Sequence, residues 1–239
     1  MPTRQLFGAD LKLHGCGHCV LMSSRRQVLT AIAGGVAALW NVRPVVAQTA
    51  LSPDAALARL MEGNDRFVPG KLTSLDEDLA ILKEHTVAKQ EPFAAVLSCA
   101  DSRVPIELIF DQSIGHIFVT RVAGNVCTPE VIASLEYGAA VLGVPVIMVL
   151  GHDACGAVKA SIDAKPVPGQ ISTLYAPLRP AIERAGPDLS AAIKANAQIQ
   201  ADLLRTASPV IAPLVKTAKA KVVAAYYDLA SGKVTVLDQ

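Results

Sequence analysis

Phe93-Ala94-Ala95-Val96-Leu97-Ser98-Cys99 and Val144-Pro145-Val146-Ile147-Met148-Val149-Leu150-Gly151-His152 decide the fold. Each is a short apolar run without polar alternation, closed by small or turn-forming residues. That is how a strand covered on both faces reads. The run 144–150 is the most strand-like in the chain, and 116–121 supplies a third strand. Residues 222–227 and 233–237 supply two more, joined by a turn at Ser231-Gly232. Helical patterns lie between them. Ser52-Pro53-Asp54 has the cap, first-turn proline and early acid of a helix start that 55–67 continues, and Thr128-Pro129-Glu130 opens another over 131–142. Residues 76–89 and 188–206 complete the set, the last as a long amphipathic helix. Strands alternating with helices predict an α/β fold: a mostly parallel central sheet with flanking helices, the C-terminal strands completing the sheet.

Composition narrows what such a domain does. The 239 residues carry 22 Lys+Arg against 21 Asp+Glu, so the basic footprint of a nucleic-acid binder is missing. No apolar stretch reaches the ~18 residues of a spanning helix, so no membrane anchor is expected in the mature chain. The first residues read as an address. Arg25 and Arg26 precede an uncharged apolar run, 28–40, and Val45-Val46-Ala47 offers the small residues of a cleavage site. The arginine pair resembles a twin-arginine export signal, which divides the chain into a signal peptide, 1–47, and a single domain, 48–239. Export would place the mature protein in the periplasm or outside the cell. Cys16 and Cys19 leave with the signal, and no catalytic role is assigned to them.

The chemistry gathers where strands end. Ligands of open α/β sheets bind beyond the carboxyl ends of the strands. Cys99 follows one such end, and His152 and Cys155 follow another. If the two strands are neighbours, two thiolates and an imidazole converge, a donor set that favours zinc and is known with a vacant fourth position. Taken singly, each cysteine reads more readily as a small buried hydrophobe; it is the three ligand types together that bring the metal reading level. Asp101 and Arg103, just after the first cysteine, suit a fork-type ion pair beside the metal.

Cys99-Ala100-Asp101-Ser102-Arg103 followed by Gly151-His152-Asp153-Ala154-Cys155-Gly156 resembles the β-class carbonic anhydrase signature. The resemblance covers nearly all of the chain after the signal. It implies one zinc ion per subunit on Cys99, His152 and Cys155, and hydration of carbon dioxide to bicarbonate by attack of zinc-bound hydroxide. Asp101 and Arg103 become the catalytic dyad, with Asp101 a possible fourth ligand in a closed state. Gln90 matches the family's substrate-binding glutamine, Phe118 and Tyr137 its pocket wall, and Gly156 the glycine beside the last ligand. The family builds its pocket across a subunit interface, which implies a homodimer or a higher even oligomer. Family members with an inhibitory bicarbonate site carry a tryptophan three residues before the first cysteine ligand. Val96 stands there, so the resemblance does not bring that regulation with it. A zinc hydrolase of carbonyl sulfide or carbon disulfide, or a non-enzymatic zinc protein, would use the same three ligands. Cys127 is left over and reads as an inert buried thiol ahead of an intersubunit disulfide partner.

Overall fold

The computed structural model describes residues 49–74, 86–87 and 89–237, which fall within one compact unit, 45–239. The signal expected at 1–47, and most of the helix expected at 76–89, lie outside the described residues.

Five strands form one sheet: β1 Ala94–Ser98, β2 Ile117–Arg121, β3 Val146–His152, β4 Lys221–Tyr227 and β5 Val234–Val236. Their order is β2-β1-β3-β4-β5, parallel except for the antiparallel β4–β5 pair. All five residues of β1 and all seven of β3 are buried, which is why neither run alternates in sequence. Odd and even positions serve opposite faces. Ala94 and Val96 of β1, with Val146, Met148 and Leu150 of β3, join one core; Ala95, Leu97, Ile147 and Val149 join the other.

Helix α1, Pro53–Phe67, covers the first face, assisted by a short helix α2, Ile106–Ile109. Ser52 caps α1 by accepting the Ala55 N–H, with Pro53 in the first turn and Arg66 in the last. The second face is covered by α3, Pro129–Ala140, and α6, Leu189–Ala207, capped by Thr128 and Asp188. Between them in sequence come α4, Gly156–Asp163, and α5, Tyr175–Ala185; α7, Ile211–Lys216, follows α6.

Two details differ from the sequence reading. Strand β3 does not stop at Leu150 but runs on through His152, because Gly151 and His152 pair in register with Tyr226 and Tyr227 of β4. Helix α5 has no counterpart in that reading; it keeps Pro180 in its interior, with Leu178 and Ala181 buried.

Candidate metal centre

The sheet order locates the site. From β1 the chain moves outward to β2, then returns across β1 to add β3 and β4 on the other side. Strand order therefore reverses between β1 and β3, and at such a switch point the carboxyl ends of the strands leave a crevice. Ser98 pairs with Leu150 there. One residue on, β1 yields Cys99; two residues on, β3 yields His152. Cys155 follows as the N-cap of α4.

Cys99 Sγ, Cys155 Sγ and a ring nitrogen of His152 lie within 4.8 Å of one another, and all three residues are buried. His152 is oriented by its own backbone neighbourhood: Nδ1 lies 2.8 Å from the Asp153 carbonyl, as an N–H donor would. Nε2 is buried and has no hydrogen-bond partner among the described residues. A buried, unpaired imidazole nitrogen beside two thiols is costly unless something accepts its lone pair. A metal ion does so, and the second ring nitrogen anchored on a carbonyl is how ligating histidines are commonly held.

The sulfurs lead to the same conclusion. They are 4.0 Å apart. Cys99 ionises first: the hydrogen bond from the Cys155 thiol holds its pKa down, to about 4, against the opposing effect of burial, with the Gly124 N–H contributing at 3.3 Å. Cys155 is pushed well up by its hydrogen bond to Cys99, by burial and by the charge on Cys99, while the Val158 and Ala157 N–H groups of α4 pull the other way. Ionising the second sulfur as well would require a cation between them. The donor set therefore fits a soft divalent ion.

Asp101 and Arg103 stand at the open side. Arg103 donates through Nε to Asp101 Oδ1 at 2.9 Å and through Nη2 to Oδ2 at 2.7 Å, a bidentate pair; its backbone N–H also reaches Oδ1. Arg103 side-chain hydrogen bonds are the main reason the Asp101 carboxyl sits well below the usual carboxylate range. Oδ2 is 3.9 Å from His152 Nε2, so the carboxylate faces the ligands while bonded to the arginine. Arg103 Nη2 also reaches the Ala154 carbonyl, in the loop between His152 and Cys155, at 3.3 Å.

Other expected residues are placed differently. Gly156 does stand beside the last ligand, and apart from its neighbours in its own helix no atom lies within 4 Å of where its Cβ would be. Gln90 is exposed ahead of the amino end of β1, whereas the ligands lie beyond the carboxyl end; five strand residues span roughly 16 Å. Phe118 pairs with Ala95, three rows short of the Ser98–Arg121 row. Its ring lies 6.2 Å from that of Tyr137, which is 47% exposed on α3. Within one chain these three do not join the cluster. Cys127 is partly buried, and desolvation pushes its thiol up to about 12, leaving no reactive thiolate at neutral pH.

The sequence reading missed Arg121. From the end of β2 its Nε donates to the Cys99 carbonyl at 2.8 Å and its Nη2 to the Asp101 carbonyl, clamping the loop that carries ligand and dyad. Extending the strand-end rule from β1 and β3 to β2 would have found it.

Sheet and donor set together describe an α/β fold with a candidate metal site at a topological switch point. Residues 94–234 match the sequence model of the carbonic anhydrase family, more than half of the chain, and the chain belongs to that family. It is 47% identical over 117 residues to carbonic anhydrase 2 of Mycobacterium tuberculosis, an alignment covering 47% of this chain and 54% of that protein. The chain thus spans about half the length of that relative. With the carbonic anhydrase of Mycolicibacterium smegmatis it shares 41% identity over 145 residues, covering 61% of this chain and 68% of the other. Its fold is that of a solved tetrameric β-carbonic anhydrase from Sordaria macrospora, with a TM-score of 0.62, 21% identity, and coverage of 77% of this chain and 97% of that one.

Proposed function

We propose that this chain is a zinc-dependent β-class carbonic anhydrase that interconverts carbon dioxide and bicarbonate. One observation carries the reading: two buried sulfurs and an unpaired imidazole nitrogen face a common point, with an arginine-held carboxylate turned toward it. Cys99, His152 and Cys155 would hold one zinc ion per subunit. When bound, the ion supplies Lewis acidity that makes water a nucleophile near neutral pH.

The remaining steps belong to the protein. Asp101, kept ionised by Arg103, offers an acceptor beside the ligands and orients the attacking oxygen by taking its hydrogen bond. Arg121 fixes the loop so that this acceptor stays in place. Gln90, Phe118 and Tyr137, remote from the cluster in their own chain, complete the pocket of a neighbouring subunit in a homodimer or higher even oligomer. Gln90 donates to a substrate oxygen there. The solved relative's tetrameric state supports that assembly. If Asp101 swings from Arg103 to the fourth ligand position, the site closes. The twin arginines and the small-residue end at Ala47 support export of residues 48–239 to the periplasm or beyond.

The test joins metal analysis to stopped-flow carbon dioxide hydration, with and without a chelator. The expected result is one zinc per chain and hydration that disappears with the metal and returns with it. Fully loaded protein that hydrates no carbon dioxide overturns the reading.

A further inference from the structure

Helix α6 is predominantly apolar where it meets the sheet, with Ala192, Ile193, Ala197, Ala201 and Leu204 buried. Two amides interrupt that face. Asn196 is 0% and Gln200 3% exposed, one turn apart on the same side of the helix. Burying two amides costs free energy unless each polar atom is engaged, and here they are. Gln200 Nε2 donates to Asn196 Oδ1 at 3.2 Å and to the Pro177 carbonyl at 3.3 Å, while its Oε1 accepts the Cys127 N–H at 2.9 Å. Asn196, so braced, donates from Nδ2 to the Gly124 carbonyl at 2.8 Å.

Gly124 is where this chain of bonds meets the metal centre. Its φ is +77°, a conformation a side chain rarely adopts, and a Cβ would stand 3.3 Å from Leu178 and 3.4 Å from Ala157. With its carbonyl pinned and its backbone left-handed, its N–H points at Cys99 Sγ, 3.3 Å away. We infer that Asn196, braced by Gln200, is a positioning residue that holds Gly124 so that its N–H stays on the Cys99 sulfur and thereby tunes the electron density of that metal ligand. The inference rests on Cys99 being a ligand, as proposed above, though not on the substrate. An N–H directed at a thiolate draws charge from it. Losing such outer bonds commonly weakens metal binding about 10–100-fold.

The test uses full-length protein loaded with cobalt(II), whose sulfur-to-metal charge-transfer band reports the thiolate's electron density, and zinc-loaded protein challenged with a chelator. Asn196→Leu removes the donor to Gly124; Gln200→Met keeps that donor and removes the brace, along with the bonds of Gln200 to Pro177 and Cys127. Asn196→Leu is expected to move the band to lower energy and to release zinc roughly 10-fold faster. Gln200→Met should shift both in the same sense by less, with near-ultraviolet circular dichroism unchanged. A folded Asn196→Leu protein with the parent band and release rate overturns the inference. If Asn196→Leu does not fold, Gln200→Met decides on the same two readings. A parent protein with no charge-transfer band overturns the metal reading instead, and this inference falls with it.

Discussion

Arg103 has half its side chain in solvent, yet it determines what Asp101 does. Removing it releases the Asp101 carboxyl toward the ordinary value of 3.8, so the carboxylate remains ionised at neutral pH. What is lost is direction. In Arg103→Ala, turnover should therefore fall about 100-fold or more, as when one oriented group is removed from a site of this kind. Zinc content should stay at the parent level, because none of the three ligands contacts the guanidinium through a hydrogen bond. Retained hydration removes Arg103 from the mechanism; lost zinc makes its role structural. At this scale the sequence was most legible. Cys99, Asp101, Arg103, His152 and Cys155 stand directly beside strand ends that could be read from apolar runs. Arg121 also stands at a strand end, so its place was legible; its role was not, because it bonds to backbone carbonyls, for which a sequence carries no partner signal.

Elements were legible where a cap and a long pattern coincide. Ser52-Pro53-Asp54 and Thr128-Pro129-Glu130 mark α1 and α3 within two residues of their observed starts. Helices α2, α4 and α7 run four to eight residues, too short to express a period, and α5 is masked by its prolines. How closely elements approach is likewise invisible in the sequence. Gly63 of α1 lies so close to the turn after α2 that a Cβ would fall 1.8 Å from the Phe110 carbonyl oxygen. Gly63→Ala should lower stability by about 3 kcal/mol, since the obstacle is backbone and must move bodily; an unchanged urea midpoint would contradict the packing. The same turn is tied to α1 by Asp111, whose buried carboxylate accepts from Arg66 Nε, the Thr73 N–H and hydroxyl, and the Ser74 N–H. Burial pushes the Asp111 carboxyl up, but these bonds outweigh it and leave the group below the usual range. Because the folded value is depressed below the unfolded 3.8, the stabilisation is complete above about pH 4 and is lost as pH falls through the folded value. Urea midpoints of parent and Asp111→Asn protein should differ most at pH 5–7, stay apart at pH 3 and draw together only well below it, with a neutral-pH gap of about 3 kcal/mol. A gap that widens on acidification reverses the assignment.

At the scale of the whole molecule, the proposed pocket is not complete within one chain. Three ligands and a dyad sit at the carboxyl ends of β1 and β3, while Gln90 lies ahead of β1 and the Phe118–Tyr137 ring pair lies on the β2 side. Strand β2 is an edge of the sheet, and Phe118 and Val119 on it are only partly buried. An edge strand flanked by exposed Tyr137 and Val141 leaves apolar surface uncovered; in the assembly proposed above a second copy covers it and brings its Gln90 to this subunit's candidate ligands. No sequence pattern distinguishes a residue that completes its own pocket from one that completes a neighbour's, because both are exposed in the single chain. Mixed subunits do distinguish them. Cys99→Ser removes a metal ligand and Gln90→Ala the substrate donor, so each variant alone should be nearly inactive. If the pocket is shared, random reassociation places an intact Gln90 subunit beside an intact Cys99 subunit in about one site in four, and about a quarter of parent activity should return on mixing. If each subunit used its own Gln90, every site in the mixture would carry one lesion, and no activity would return at any ratio.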